Sequence, residues 1–154
     1  MRRRRGFTFI ELLIVMVVIG ILAGLGLLKY MDLKHRAMSA QPIADLEAVR
    51  LAGYSAWYET GVWPAEASPG VVPPGLAPYL SGSFSFAKSE YTLDWENFVP
   101  PGGGPTASMQ LGVVLTSTNT RLTKVLALSL GNKAPFFIVG GNLTYVIVGP
   151  DGRI

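Results

Sequence analysis

Residues 7–28 read FTFIELLIVMVVIGILAGLGLL, and MRRRRG precedes them. From Leu12 to Leu28 there is no charge. As a helix rising about 1.5 Å per residue, the stretch Phe7 to Leu28 reaches roughly 33 Å. That is enough to span a hydrocarbon core of about 30 Å. Arg2 to Arg5 stand directly before the run, which orients a membrane helix with its N-terminus in the cytoplasm. A conventional secretory signal fits less well. Glu11 sits near the start of the run, the run is long for an h-region, and no small-x-small cleavage site follows before the charged stretch Lys29 to Arg36.

Glu11 decides how the segment is read. An ionised group inside a membrane helix costs about 2.5–3.5 kcal/mol on insertion scales, and no cation lies within the run. Chemistry can supply one. Cutting the chain between Gly6 and Phe7 would give Phe7 a free α-amine. Glu11 is four residues further on, so a helix places the two on one face. The amine of the same or a neighbouring subunit would then neutralise the acid. The positive end of the helix dipole also favours a carboxylate in the first turn.

A basic cluster, then Gly6, then Phe7-Thr8-Phe9-Ile10-Glu11-Leu12-Leu13-Ile14-Val15 resembles the class III signal of type IV prepilins and the related pseudopilins. The resemblance is close over residues 2–30 and looser beyond. It implies that a membrane aspartyl protease, the prepilin peptidase, cuts between Gly6 and Phe7 and methylates the Phe7 amine. It implies that Glu11, with Thr8 beside it, serves subunit registration during assembly. It also implies that the apolar helix first anchors the subunit in the inner membrane and later forms the filament core. The implied partners are the peptidase, other pilin subunits in a homo- or heteropolymer, and an inner-membrane assembly platform. The filament would then stand in the periplasm or at the cell surface. One departure is Leu28, where many major pilins carry proline. Gly20, Gly24 and Gly26 are the soft points of this stretch, serving either local bending or close helix packing.

Composition narrows the rest. The net charge of +3 and the pI near 9.3 come from the four leading arginines. Without them nine basic side chains face ten acidic ones. No clustered Lys/Arg surface remains to displace counterions from nucleic acid. With no cysteine, disulfides, thiolate metal sites and a cysteine nucleophile are excluded.

The helix is expected to continue to Thr60, with Gly61 as its C-cap and Pro42 kinking or interrupting it around Met38 to Gln41. Ile43, Leu46, Val49, Gly53 and Trp57 follow a helical spacing that predicts one buried stripe. Asp32 with Arg36 and Glu47 with Arg50 pair at helical spacing. Prolines and glycines over residues 61–82 predict an irregular connection, anchored by Tyr79 and Leu80. Trp57-Tyr58, Gly61 and Trp63-Pro64 resemble the aromatic helix end and turn of pilin-type domains.

Alternation at Tyr91, Leu93 and Trp95, and again from Met109 to Leu115, predicts two strands around a loop at Pro100 to Pro105. Thr118 or Asn119 caps a helix bearing Leu122, Leu126 and Leu130, with Gly131 beyond its end. Phe136 to Val139, a turn at Gly140-Gly141-Asn142, and Leu143 to Val148 predict a hairpin. Pro150-Asp151-Gly152 closes the chain in a turn. The fold class is α+β, a long N-terminal helix packed on a C-terminal antiparallel sheet. The expected organisation is a cleaved leader at 1–6, a transmembrane and assembly helix at 7–28, the second half of the long helix at 29–60, and an exported α+β domain at 61–154.

Little here reads as catalysis, and no enzyme activity, metal or cofactor is expected. His35 lies between Lys34 and Arg36 on the helix and reads as solvated. Asp94 and Glu96 share a strand face, as a metal or acid–base pair would, but a solvent-facing polar edge accounts for them more simply. Gly102 to Gly104 lack the Lys and Ser/Thr of a phosphate loop. Asn142-Leu143-Thr144 matches a glycosylation triplet that is frequent by chance. The alternative to a filament subunit is a membrane-tethered, exported binding module that never polymerises.

Overall fold

The first helix, α1 (Phe9–Thr60), starts and stops where local chemistry dictates. Thr8 precedes it and accepts the first intrahelical bond, from Leu12 N–H at 3.3 Å. Gly61 ends it at φ 72°, donating its N–H to Trp57 O at 2.8 Å, a left-handed residue that glycine adopts without a Cβ penalty. The computed structural model describes residues 7–98 and 110–149. The expected leader, the loop at Pro100 to Pro105, Met109 and the final turn at Pro150 to Gly152 lie outside the described residues.

Two compact units divide the chain between Ala37 and Met38. In the first unit, every residue from Phe7 to Lys34 is exposed. An 18-residue stretch of mean hydropathy 2.7 has no part of itself buried.

The second unit begins with the helix from Met38 onward. Of the two effects expected at Pro42, a kink or an interruption, the interruption does not occur, and α1 runs through it. Proline lacks the N–H of one ladder bond, but Pro42 is buried, and Ser39, Asp45 and Leu46 around it are held by tertiary contacts. The buried stripe is Leu46, Val49, Ala52, Gly53 and Ala56. Trp57, expected in the stripe, is 42% exposed and stacks on Trp63 with ring centroids 5.4 Å apart. The 3.6-residue period brings Ala56 inward instead.

A short 3-10 turn, Ala77–Tyr79, interrupts the irregular connection. Among the described residues four strands follow: β1 (Thr92–Asn97), β2 (Leu111–Thr116), β3 (Phe136–Val139) and β4 (Asn142–Val148). The sheet order is β1-β2-β4-β3, antiparallel throughout. Helix α2 (Thr120–Leu130) connects β2 to β3. Of the two expected caps, Asn119 is the one used, its side chain accepting from Arg121 N–H at 3.1 Å. Gly140 and Gly141 both take positive φ at the β3–β4 turn, as a two-residue hairpin of matching twist requires. Asn142 opens β4 rather than belonging to the turn.

The register sorts side chains into two faces. Leu93, Leu115, Leu143 and Ile138 form one row, and Trp95, Val113, Tyr145 and Phe136 the next. These rows face the core, where Leu46 and Val49 of α1 and Leu122 and Leu126 of α2 are fully buried. Two phenols clamp α1 to β4. Tyr54 Oη donates to Ile147 O at 3.2 Å, and Tyr145 Oη donates to Glu47 Oε1 at 2.7 Å. Burial and that bond to Glu47 push the Tyr145 phenol up to about 12.

The least expected member of the interior is Asp45, only 4% exposed. Tyr91 Oη donates to it at 2.6 Å, Gln41 Nε2 at 2.8 Å, and Lys88 Nζ lies 3.2 Å away. The carboxylate therefore ties α1 to the segment that leads into β1. Removing one partner of a buried charged network strands the others without compensation. Asp45→Ala is expected to cost the fold about 3 kcal/mol, a fall in melting temperature of roughly 10 °C. Asp45→Asn should lose less, because it keeps acceptor capacity for Tyr91. Thermal melts of the full chain in detergent check this, and an alanine variant that melts with the wild type would refute it.

Candidate functional site

The start of α1 carries the candidate residues. Phe9-Ile10-Glu11 follow Thr8 at the spacing of a capping box, in which a Ser/Thr before the helix and a Glu three residues on satisfy each other's backbone donors. The structure shows both halves. Glu11 N–H donates to Thr8 Oγ1 at 3.3 Å, and Thr8 N–H donates to Glu11 Oε2 at 2.8 Å. Thr8 Oγ1 also donates to the same Oε2 at 2.9 Å. One carboxylate oxygen is thus engaged locally, and Oε1 makes no bond among the described residues. The arrangement fixes the direction of the Glu11 side chain at the positive end of the helix dipole. The sequence carries this signal, Thr-x-x-Glu before an apolar run, but reading Glu11 for its charge alone passes over it.

Phe7 is 80% exposed and Gly6 lies outside the described residues. Past Glu11, Leu12, Leu13, Val15, Met16 and Val18 are each about half exposed or more, and they lie on every side of the helix. A helix that is apolar all round and uncovered needs lipid or other helices for burial. At Gly20, Gly24 and Gly26 an added Cβ would meet nothing within 4 Å, so no close approach inside the chain requires glycine there. Leu28, the departure from the proline of many major pilins, lies in unbroken helix.

The other candidates disperse. His35 is partly buried on α1. Asp32 and Arg36 pair at 3.2 Å and Glu47 and Arg50 at 2.8 Å, all substantially exposed, so they add little stability. Asp94 and Glu96 point to the sheet face opposite the core, where Glu66 joins them. Burial comes first, and like charges second, in raising both carboxyls above their ordinary range. No group of three or more His, Cys, Asp or Glu suited to a metal occurs among the described residues. Thr144 of the glycosylation triplet is 5% exposed within β4.

The first half of α1 is a helix long and apolar enough to cross a membrane, uncovered within the chain and capped at its start by its own acid. Residues 1–27 match the prokaryotic N-terminal methylation motif. A type IV major pilin of Neisseria gonorrhoeae is 37% identical over 71 residues, 46% of this chain and 33% of that protein. A fimbrial protein of Pseudomonas aeruginosa is 37% identical over 59 residues, 38% of each chain. A type IV major alpha-pilin of Moraxella bovis is 28% identical over 134 residues, 87% of this chain and 73% of that protein. In this motif and in these relatives the chain is similar to type IV pilins. Its match spans only 33% and 38% of the length of the first two relatives. No solved structure matches it.

Proposed function

We propose that the chain is the precursor of a structural subunit of a type IV pilus. On this reading prepilin peptidase cuts between Gly6 and Phe7, the new Phe7 amine is methylated, and the subunit waits in the inner membrane with its N-terminus cytoplasmic and its globular unit exported. An inner-membrane platform then passes it into a filament with other pilin subunits. The observation that carries the reading is the apolar half of α1, exposed along its whole length and bearing one acid at its start. Lipid tails are as apolar as leucine, so helices leave lipid for one another only through packing and polar pairing. Glu11 supplies the polar element, and its Oε1 is available to a neighbouring amine. Pilin names on the relatives favour a pilus over a secretion pseudopilus.

Mass spectrometry of the protein recovered from membranes tests the reading. The N-terminal peptide is expected to begin at Phe7 and to carry one added methyl group. An intact leader containing Arg2 to Arg5 would instead favour a tethered module that does not polymerise.

A further inference from the structure

We propose that the globular unit bears two complementary faces, one basic on α2 and one acidic along the β1 edge, through which copies of this chain meet head to tail. The inference rests on the filament reading and deepens it.

Charge is divided along the sequence. From Leu111 to Gly149 there is no Asp or Glu, and the cations are Arg121, Lys124 and Lys133. From Ile43 to Phe98 seven carboxylates stand against Arg50 and Lys88. Both of those cations are already engaged, Arg50 by Glu47 at 2.8 Å and Lys88 by Asp45 at 3.2 Å. Glu66, Asp94 and Glu96 have no ion pair among the described residues.

The fold turns this division into a spatial one. β1 and β3 are opposite edges of the sheet, three strand spacings or roughly 14 Å apart. Glu66 is held at the β1 edge by Asn97 N–H at 3.0 Å, beside Asp94 and Glu96. Their mutual repulsion, added to burial, disfavours the charged forms, and a cation from outside would relieve it. At the other side, Thr123 Oγ1 of α2 donates to Gly141 O at 3.1 Å, in the β3–β4 turn. Arg121, Lys124 and Leu128 are all exposed, at spacings of three and four that put them on one face of α2. Each face also offers an apolar anchor, Leu128 at 81% exposure and Phe98 at 46%.

Matching like faces would bring like charges together, at a cost of several kcal/mol. Matching unlike faces is favourable, and it is heterologous: each copy uses one face on each neighbour. Repeating such a contact gives a ring where the rotation closes and an open filament where it does not, never a closed symmetric dimer, and the filament reading takes the open case.

The test uses the full chain in cells that make filaments. Arg121→Glu with Lys124→Glu is expected to lower filament yield at least about tenfold, equivalent to about 1.4 kcal/mol per contact, with the thermal melt unchanged. Adding Asp94→Lys with Glu96→Lys should restore the yield. The chain has no cysteine of its own, so Lys124→Cys combined with Glu66→Cys should give a disulfide-linked ladder that neither single variant gives. This pair leaves the remaining charges in place and decides the matter if the fourfold charge variant does not fold. Normal filaments from the first reversal, or their absence from a well-folded fourfold variant, would overturn the proposal. So would intact filaments without a ladder. A wild-type chain that makes no filaments would instead overturn the reading beneath it.

Discussion

Glu11→Ala is expected to enter the membrane as well as the wild type or better, and to yield almost no filament. Alanine removes the insertion cost of an ionised side chain, about 2.5–3.5 kcal/mol on insertion scales. It also breaks the capping box with Thr8, a loss of about 1 kcal/mol to the helix start. What it takes from assembly is larger. A charge pair buried between subunits loses about 2–5 kcal/mol when one partner is truncated, and each 1.4 kcal/mol is about a tenfold change in association. Two or more decades of association should therefore disappear at every contact along the filament.

Glu11→Gln separates the two roles. Glutamine can take the capping position but carries no charge to meet the Phe7 amine. If charge registers the subunit, the glutamine variant fails as the alanine variant does; if capping suffices, it assembles. Filament yield measured beside membrane-fraction content tells these apart. A normal filament yield from the alanine variant would sink the registration role outright.

The second large effect concerns Gly53. Glycine inside a helix costs roughly 1 kcal/mol relative to alanine, so replacing it would ordinarily stabilise. Here a Cβ would stand 2.8 Å from Trp95 Cη2 and 3.2 Å from Cζ3. The indole cannot swing away. It is 1% exposed, and its Nε1–H donates to Pro64 O at 3.0 Å. Overpacking of this kind costs about 1–3 kcal/mol, and Gly53→Val should lie at the upper end. Trp95→Ala should cost about 3–5 kcal/mol by opening a cavity. The two are coupled, because the valine would fill part of the space the indole leaves. The double variant is expected to fall short of the summed losses by at least about 1 kcal/mol. Denaturant melts of the four proteins measure this. Strict additivity would mean that helix and indole do not touch as described.

Sequence and structure divide the explanation unevenly. Elements that depend on near neighbours were legible: the apolar run, the Gly61 stop, the alternation over β1 and β2, the Gly140-Gly141 hairpin and the Asn119 cap. Glu11 also stands out in the sequence, because an acid is conspicuous in an apolar run whatever surrounds it. The misses differ in cause. Pro42 does not interrupt α1, where tertiary contacts hold the residues around it, and Trp57 lies half outside the core because the 3.6-residue period turns Ala56 inward in its place. Asp45 carries no mark in the sequence, and only Tyr91 and Lys88, brought from far along the chain, make it an interior tie.

What the chain decides by itself, then, is the N-terminal half of its helix: hydrophobicity and capping act within a few residues, and no partner inside the molecule is needed to form that segment. Tertiary structure alone set β4 between β2 and β3, put Trp95 against Gly53, and gathered Glu66 with Asp94 and Glu96 at the β1 edge. Those outcomes depend on which surfaces fill the same volume, and a linear pattern does not carry that information.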